Sequence, residues 1–287
     1  MTFADYSSRF ETDVLSMCKP SSRATIGSHL RHLRSVFGPR EMSEMTQPVI
    51  QRFITEEAKT KAPKTVKNEW GSLRSLLQQA HREGILANLP QPALPKAADL
   101  DPAWFTPAQM RTLAAVAPLY AVFAETGARQ GEVFALQAQD IDLAARTLSI
   151  TKDVYNGKID TLKSRAAKRV LAMSAQLTSI LDSRIASKKP DEFVFCTAVG
   201  TMLWPSKEIQ RLHKAAVTHG ISPAGFHAFR RGSATLLGSD LAAPEKIAAY
   251  RLGHSAKGLG ISYRTYAQRL VGCDRETADQ LGKRIFA

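Results

Sequence analysis

The sequence predicts a mainly α-helical chain with a small antiparallel β-sheet, divided into two domains, and three observations predict it. Apolar residues recur at helical spacing from residue 4 to about residue 88. A stretch from Leu89 to Pro102 carries four prolines in fourteen residues and breaks every periodicity. Only between residues 147 and 173 does the pattern change to short β-prone runs. The expected organisation is a helical domain over residues 1–90, a linker over 91–101 and a second domain over 102–287.

Each element has its own warrant. In the first domain Phe10, Val14, Leu15 and Cys18 share one helical face, Ile26, Leu30, Leu33 and Phe37 another, and Val49, Ile50, Phe53 and Ile54 a third. The fourth helix is the clearest, with Val66, Trp70, Leu73, Leu77 and Ala80 recurring between a start at Pro63 and a stop at Gly84. Beyond the linker, Thr106-Pro-Ala-Gln reads as an N-cap, a first-turn proline and a capping glutamine. The β-prone runs are Thr147 to Thr151, Lys158 to Leu162 and Arg169 to Met173, with Asn156-Gly157 as a tight hairpin signal, and they are expected to form one three-stranded sheet. Helical patterns resume over Ser174 to Ser187, Ser206 to Thr218, Phe229 to Leu237 and Pro244 to Tyr250.

Charge bounds the partner. A formal net charge of +13 and a sequence pI near 9.8 favour a polyanion, because binding one releases its counterions and relieves self-repulsion. No run of apolar residues has the roughly 20 positions of a membrane span, and the first residues lack a secretory pattern, so a cytoplasmic location is expected, with association to the nucleoid when DNA is bound. Cys18, Cys196 and Cys273 lie far apart, which suggests neither a disulfide framework nor a zinc site; no metal and no cofactor are expected.

The chemistry-bearing residues fall in a few short words. Glu125-Thr-Gly-Ala-Arg129-Gln-Gly-Glu132 is answered about a hundred residues later by His227-Ala-Phe-Arg230, then by Leu252-Gly-His254-Ser with Tyr263 and Tyr266 after it. Cleaving a phosphodiester without a metal needs cationic donors on the nonbridging oxygens, a nucleophile, and a proton donor for the leaving oxygen. Arginine suits the first task, since its planar fork grips two oxygens and keeps its charge. A tyrosine suits the second only where cations stabilise the phenolate or a base takes its proton.

In this order and spacing the words resemble the active site of the tyrosine recombinases, the phage integrase family, and the resemblance covers nearly the whole chain. It implies a SAM-like helical core-binding domain, including Lys64-Thr-Val-Lys-Asn68 on its last helix, followed by a tyrosine-recombinase catalytic domain. The pattern starts almost at Met1, so no amino-terminal arm-binding domain is expected. By resemblance Arg129 and Arg230 clamp the phosphate, Glu132 orients its neighbours, His227 bonds the phosphate or takes the nucleophile's proton, and His254 holds the scissile phosphate. Of Lys158, Lys163 and Lys168, the family pattern favours Lys163 as general acid, seven residues before Val170-Leu171. The word Tyr266-Ala-Gln-Arg favours Tyr266 as nucleophile, whereas the nine-residue spacing from His254 favours Tyr263.

The implied activity is site-specific DNA recombination, integration or excision, through a covalent 3′-phosphotyrosine. The implied partners are double-stranded DNA at core sites, a homotetramer on two sites, and accessory DNA-bending or excision factors, with no membrane. Ala278, Leu281 and Ile285 form an apolar stripe that docks on a neighbouring copy or packs in cis. The alternatives are a type IB topoisomerase, against which the histidine of His227-x-x-Arg230 speaks, and a catalytically silent DNA-binding regulator.

Overall fold

The computed structural model describes residues 1–96, 102–162, 167–253 and 267–286. The chain divides into two compact units, Met1–Leu100 and Asp101–Ala287.

The first unit holds four helices, α1 (Phe3–Asp13), α2 (Pro20–Phe37), α3 (Gln47–Thr60) and α4 (Pro63–Arg82). Proline in the first turn starts three of them, where its missing N–H leaves nothing unsatisfied. α1 is opened instead by a Thr2–Asp5 capping box. Their apolar stripes close on Phe37, whose ring centroid lies 5.7 Å from that of Phe3 and 5.0 Å from that of Phe53. Leu30, Leu33, Ile50, Leu73 and Leu77 fill the same core.

The proline-rich segment does not leave this unit at residue 90. Leu89 and Leu94 pack on its core, and two glutamines of α3 grip the backbone between them. Gln47 accepts from Gln91 N–H at 2.6 Å and donates to Gln91 C=O at 3.0 Å; Gln51 does the same for Ala93 at 2.7 and 3.2 Å. Each primary amide carries both a donor and an acceptor, so two of them four residues apart imitate a strand edge.

The second unit is helical around a small sheet. Its elements are α5 (Pro107–Val116), α6 (Pro118–Thr126), α7 (Gln130–Phe134), β1 (Ile141–Asp142), β2 (Thr147–Ile150), β3 (Lys152–Tyr155), β4 (Lys158–Thr161), β5 (Arg169–Ala172), α8 (Ala175–Ile185), α9 (Pro205–Thr218), α10 (His227–Thr235), α11 (Glu245–Leu252) and α12 (Ala267–Phe286). The expected Thr106–Gln109 capping box opens α5. The core runs through Phe123, Phe134, Phe226 and Phe229, with Phe123 stacked on Phe226 at 4.5 Å. None of the described helices is long and apolar enough to cross a membrane.

The sheet differs from the expected single three-stranded one. β2 pairs directly with β5, and the third strand is β1, giving the antiparallel order β1-β2-β5. β3 and β4 form a separate hairpin. Its turn decides this: Asn156 and Gly157 both have positive φ, 48° and 72°, and such a two-residue turn forces Tyr155 to face Lys158. Residues 158–161 therefore pair with 152–155 and leave β2 free for β5.

The apolar stripe of α12 packs in cis. Ala278, Leu281 and Ile285 are fully buried, and the helix lies against α5, α6, α8, α11 and β5.

Candidate active site

Three arginines from three elements converge on the carboxyl end of α11. α6 ends at Gly127, whose φ of 59° is left-handed. A Cβ there would stand 2.8 Å from Leu252 Cδ2, so only glycine lets the chain turn this close to α11. The turn releases Arg129 as the N-cap of α7, where Glu132 completes a capping box by accepting from Arg129 N–H at 2.8 Å.

Glu132 is the hub. Its buried carboxylate also accepts from Arg129 Nη1 at 2.8 Å and from Arg169 Nη2 at 2.8 Å, and Arg169 is wholly buried at the start of β5. Burial would raise the Glu132 carboxyl, but the bonds and charge of Arg169, then those of Arg129, outweigh it and hold the pKa below its usual value. Glu132 stays ionised.

Each arginine then caps one carbonyl of the α11 terminus. Arg169 Nε donates to Arg251 C=O at 2.8 Å, Arg230 Nη2 to Leu252 C=O, and Arg129 Nη2 to Gly253 C=O at 3.3 Å. Unsatisfied carbonyls at a helix end carry partial negative charge, so this is where three like charges can be gathered. Arg230 is fixed further by Gly127 C=O at 2.9 Å. Gly253 has φ 61°, and a Cβ there would stand 2.7 Å from Arg169 Nη1.

The titration of the site follows from this crowding. Burial, then the charges of Arg129 and Arg169, lower Arg230 to about 10, which leaves it a cation at neutral pH. His227 is the first residue of α10. Partial desolvation, then the charges of Arg230, Arg231 and Arg129, lower its pKa from the usual value, so at neutral pH its ring is a proton acceptor.

The structure thus brings together Arg129, Glu132, His227 and Arg230. Lys163, His254, Tyr263 and Tyr266 lie outside the described residues. Sequence reasoning missed Arg169: an arginine opening a β-prone run reads as an exposed strand end, and nothing local marks it as the second partner of Glu132. It also missed Arg251 of α11, whose buried side chain pairs with Asp274, 23 positions away in sequence. Among the described residues one group has metal-ligand spacing, His32, Glu57 and Glu69 of the first unit. Lys61 Nζ stands among these groups, 3.1 Å from His32 Nε2 and 2.7 Å from Glu69 Oε1, so the cluster is centred on an ammonium.

Comparison with known proteins bears on the family and the fold. Among curated sequences the chain is 28% identical to an integrase of Staphylococcus phage L54a, over 62% of this chain and 54% of that protein, so it spans about half the length of that relative. Among solved structures it resembles the Tn1549 transposon integrase in complex with a circular intermediate DNA, with a TM-score of 0.76 at 17% identity, covering 94% of this chain and 99% of the other. It also resembles a lambda integrase tetramer bound to a Holliday junction, with a TM-score of 0.70 at 16% identity, covering 90% and 79%. At such identities the likeness is one of fold. The sequence model of the phage integrase family matches residues 93–269, which takes in every element of the arginine cluster, and the chain belongs to that family.

Proposed function

We propose that this protein is a site-specific DNA recombinase that cleaves and rejoins DNA through a covalent 3′-phosphotyrosine. The observation that carries the reading is the convergence of Arg129, Arg169 and Arg230 on one helix terminus, with Arg129 and Arg169 also sharing the Glu132 carboxylate. Among the described residues of the cluster, three guanidiniums stand with the one Glu132 carboxylate, a surplus of two positive charges. A phosphodiester carries one negative charge, and the pentacoordinate transition state gathers a second, so the surplus matches the transition state better than the ground state. Arg129 and Arg230 each use two of five N–H donors on the bonds described, and the others are the donors proposed to meet the nonbridging oxygens.

In this reading neutral His227 accepts the phenol proton as the tyrosine attacks phosphorus. The leaving 5′-oxygen takes a proton from Lys163, and the bond energy is kept in the phosphotyrosine for the reverse step with the partner strand. His254, next in sequence to the capped Gly253, adds a further donor to the phosphate. No metal or cofactor enters any step. The partner is double-stranded DNA at core sites, and the lambda integrase tetramer on a Holliday junction supports assembly as a homotetramer on two sites, with accessory DNA-bending or excision factors acting on that assembly.

A suicide substrate that traps the covalent complex tests the reading. Phenylalanine keeps the ring and deletes the hydroxyl, so Tyr266→Phe abolishes the adduct while Tyr263→Phe retains it. The reverse pattern moves the nucleophile to Tyr263. DNA binding with no adduct from the unmodified protein makes it a silent regulator, and relaxation of supercoiled DNA by the monomer makes it a topoisomerase.

A further inference from the structure

A fully buried ion pair brackets the stretch of sequence that holds His254 and both candidate tyrosines. Arg251, three residues before His254, meets Asp274, eight residues after Tyr266, at 2.6 Å, and neither side chain has any exposed surface. The second oxygen of Asp274 accepts from Ala172 N–H in β5 at 2.7 Å. Arg251 also donates to Glu125 C=O in α6 at 3.2 Å and to Ala172 C=O at 3.4 Å. Four elements, α6, β5, α11 and α12, thus share one polar knot.

Stability alone does not call for such a knot. Two charges taken fully out of water recover through their attraction little more than the desolvation they suffered, and a well-packed apolar pair holds helices as firmly. What the pair supplies is register. A planar fork with three assigned acceptors accepts one rotation and one translation of α12, where an apolar contact tolerates several. The far end of α12 is fixed too, because Gly282 sits so close to Ser174 that a Cβ would overlap it. Glu125 holds that Ser174, accepting from its N–H at 2.8 Å.

We propose that Arg251 and Asp274 are positioning residues for cleavage, fixing the register of α12 and with it the placement of the tyrosine hydroxyl at the arginine cluster. The proposal rests on the reading of Tyr266 or Tyr263 as nucleophile. α12 begins at Ala267, the residue after Tyr266 in sequence. A slip of one residue along a helix is a shift of about 1.5 Å and a turn of about 100°. Misplacing reacting groups by about 1 Å costs on the order of 10²-fold in rate.

The experiment measures adduct formation in a single turnover at saturating suicide substrate, beside DNA affinity and melting temperature. The double variant Arg251→Met/Asp274→Leu replaces the pair by apolar volume. It is expected to melt near the unmodified protein and bind DNA equally well, yet to form the adduct 10- to 100-fold more slowly. Arg251→Lys, which keeps the charge but not the fork, falls between. A double variant that folds and reacts at the unmodified rate overturns the proposal. Should it fail to fold, Asp274→Asn, which keeps the shape and one acceptor, takes the same readout: a slowed adduct at unchanged affinity supports the proposal, and an unchanged rate overturns it. Failure of the underlying reading looks different, since an adduct that survives Tyr263→Phe/Tyr266→Phe places the nucleophile elsewhere.

Discussion

Arg129 and Arg230 share one cluster but differ in what their loss would do. Arg230 is nearly buried and ties two carbonyls from separate elements, whereas about a third of the Arg129 side chain is open. Arg129→Ala is expected to slow cleavage by about 10²- to 10³-fold, the scale for losing one transition-state donor, while DNA affinity changes little because the remaining basic surface carries it. Arg230→Ala should lose as much cleavage and also melt earlier, since Gly127 and Leu252 lose their donor. A binding assay beside the suicide-substrate assay checks both, and equal losses of binding and cleavage would make these arginines DNA-holding residues instead. His227 gives a pH prediction with a fixed sign. Its depressed pKa keeps it neutral, so cleavage fails as pH falls through that value; Arg231→Ala removes one of the depressing charges and should move the acid limb of the rate profile to higher pH at saturating DNA. An acid limb that stays in place takes the proton from another group. That Arg129, Glu132, His227 and Arg230 gather in one place was legible because each stands in a word with fixed spacing. Arg169 was not, since its role comes from a carboxylate 37 positions away in sequence.

The proline-rich segment shows how an element can be legible in composition and still misplaced. Pro90, Pro92 and Pro95 do rule out helix and sheet, but Gln91 and Ala93 between them keep their N–H groups, and it is these that Gln47 and Gln51 take. Nothing in the segment itself announces its partner. Replacing both glutamines by alanine removes four hydrogen bonds at once and is expected to cost about 1–3 kcal/mol, given their exposure. Calorimetry on a fragment ending at residue 96 checks it, and the same fragment shortened to residue 88 should melt lower still because Leu89 and Leu94 go with it. An unchanged melting temperature in both would mean that the segment merely rests on α3. Most helices were readable by period, and α5 by its cap, whereas α6 and α7 were not: one is buried along nearly its whole length and the other has five residues, so neither shows an amphipathic period. The sheet was readable as strands and turn but not as pairing, because four-residue strands carry too little alternation to choose between neighbours.

At the scale of the whole molecule the net charge of +13 and the arginine cluster act in one direction on folding and in the other on binding. Like charges gathered in the absence of an anion repel one another, and salt shortens the reach of that repulsion from about 30 Å at 0.01 M to about 8 Å at 0.15 M. The same salt erodes the entropy gained when DNA sheds its counterions, so affinity falls by nearly one power of the salt concentration for each phosphate neutralised. The α11 terminus offsets only part of the repulsion, since it meets three guanidiniums with three peptide carbonyls. Heat resistance should therefore climb with ionic strength over the range in which the grip on DNA loosens, and Arg129→Ala should flatten the climb. Differential scanning fluorimetry against salt checks this, and a melting point that falls with added salt would sink it. On the proposed function such a protein is under electrostatic tension without its anion and relaxes when DNA arrives: DNA would then act as a folding ligand as well as a substrate, and the DNA-free protomer would be the less durable form.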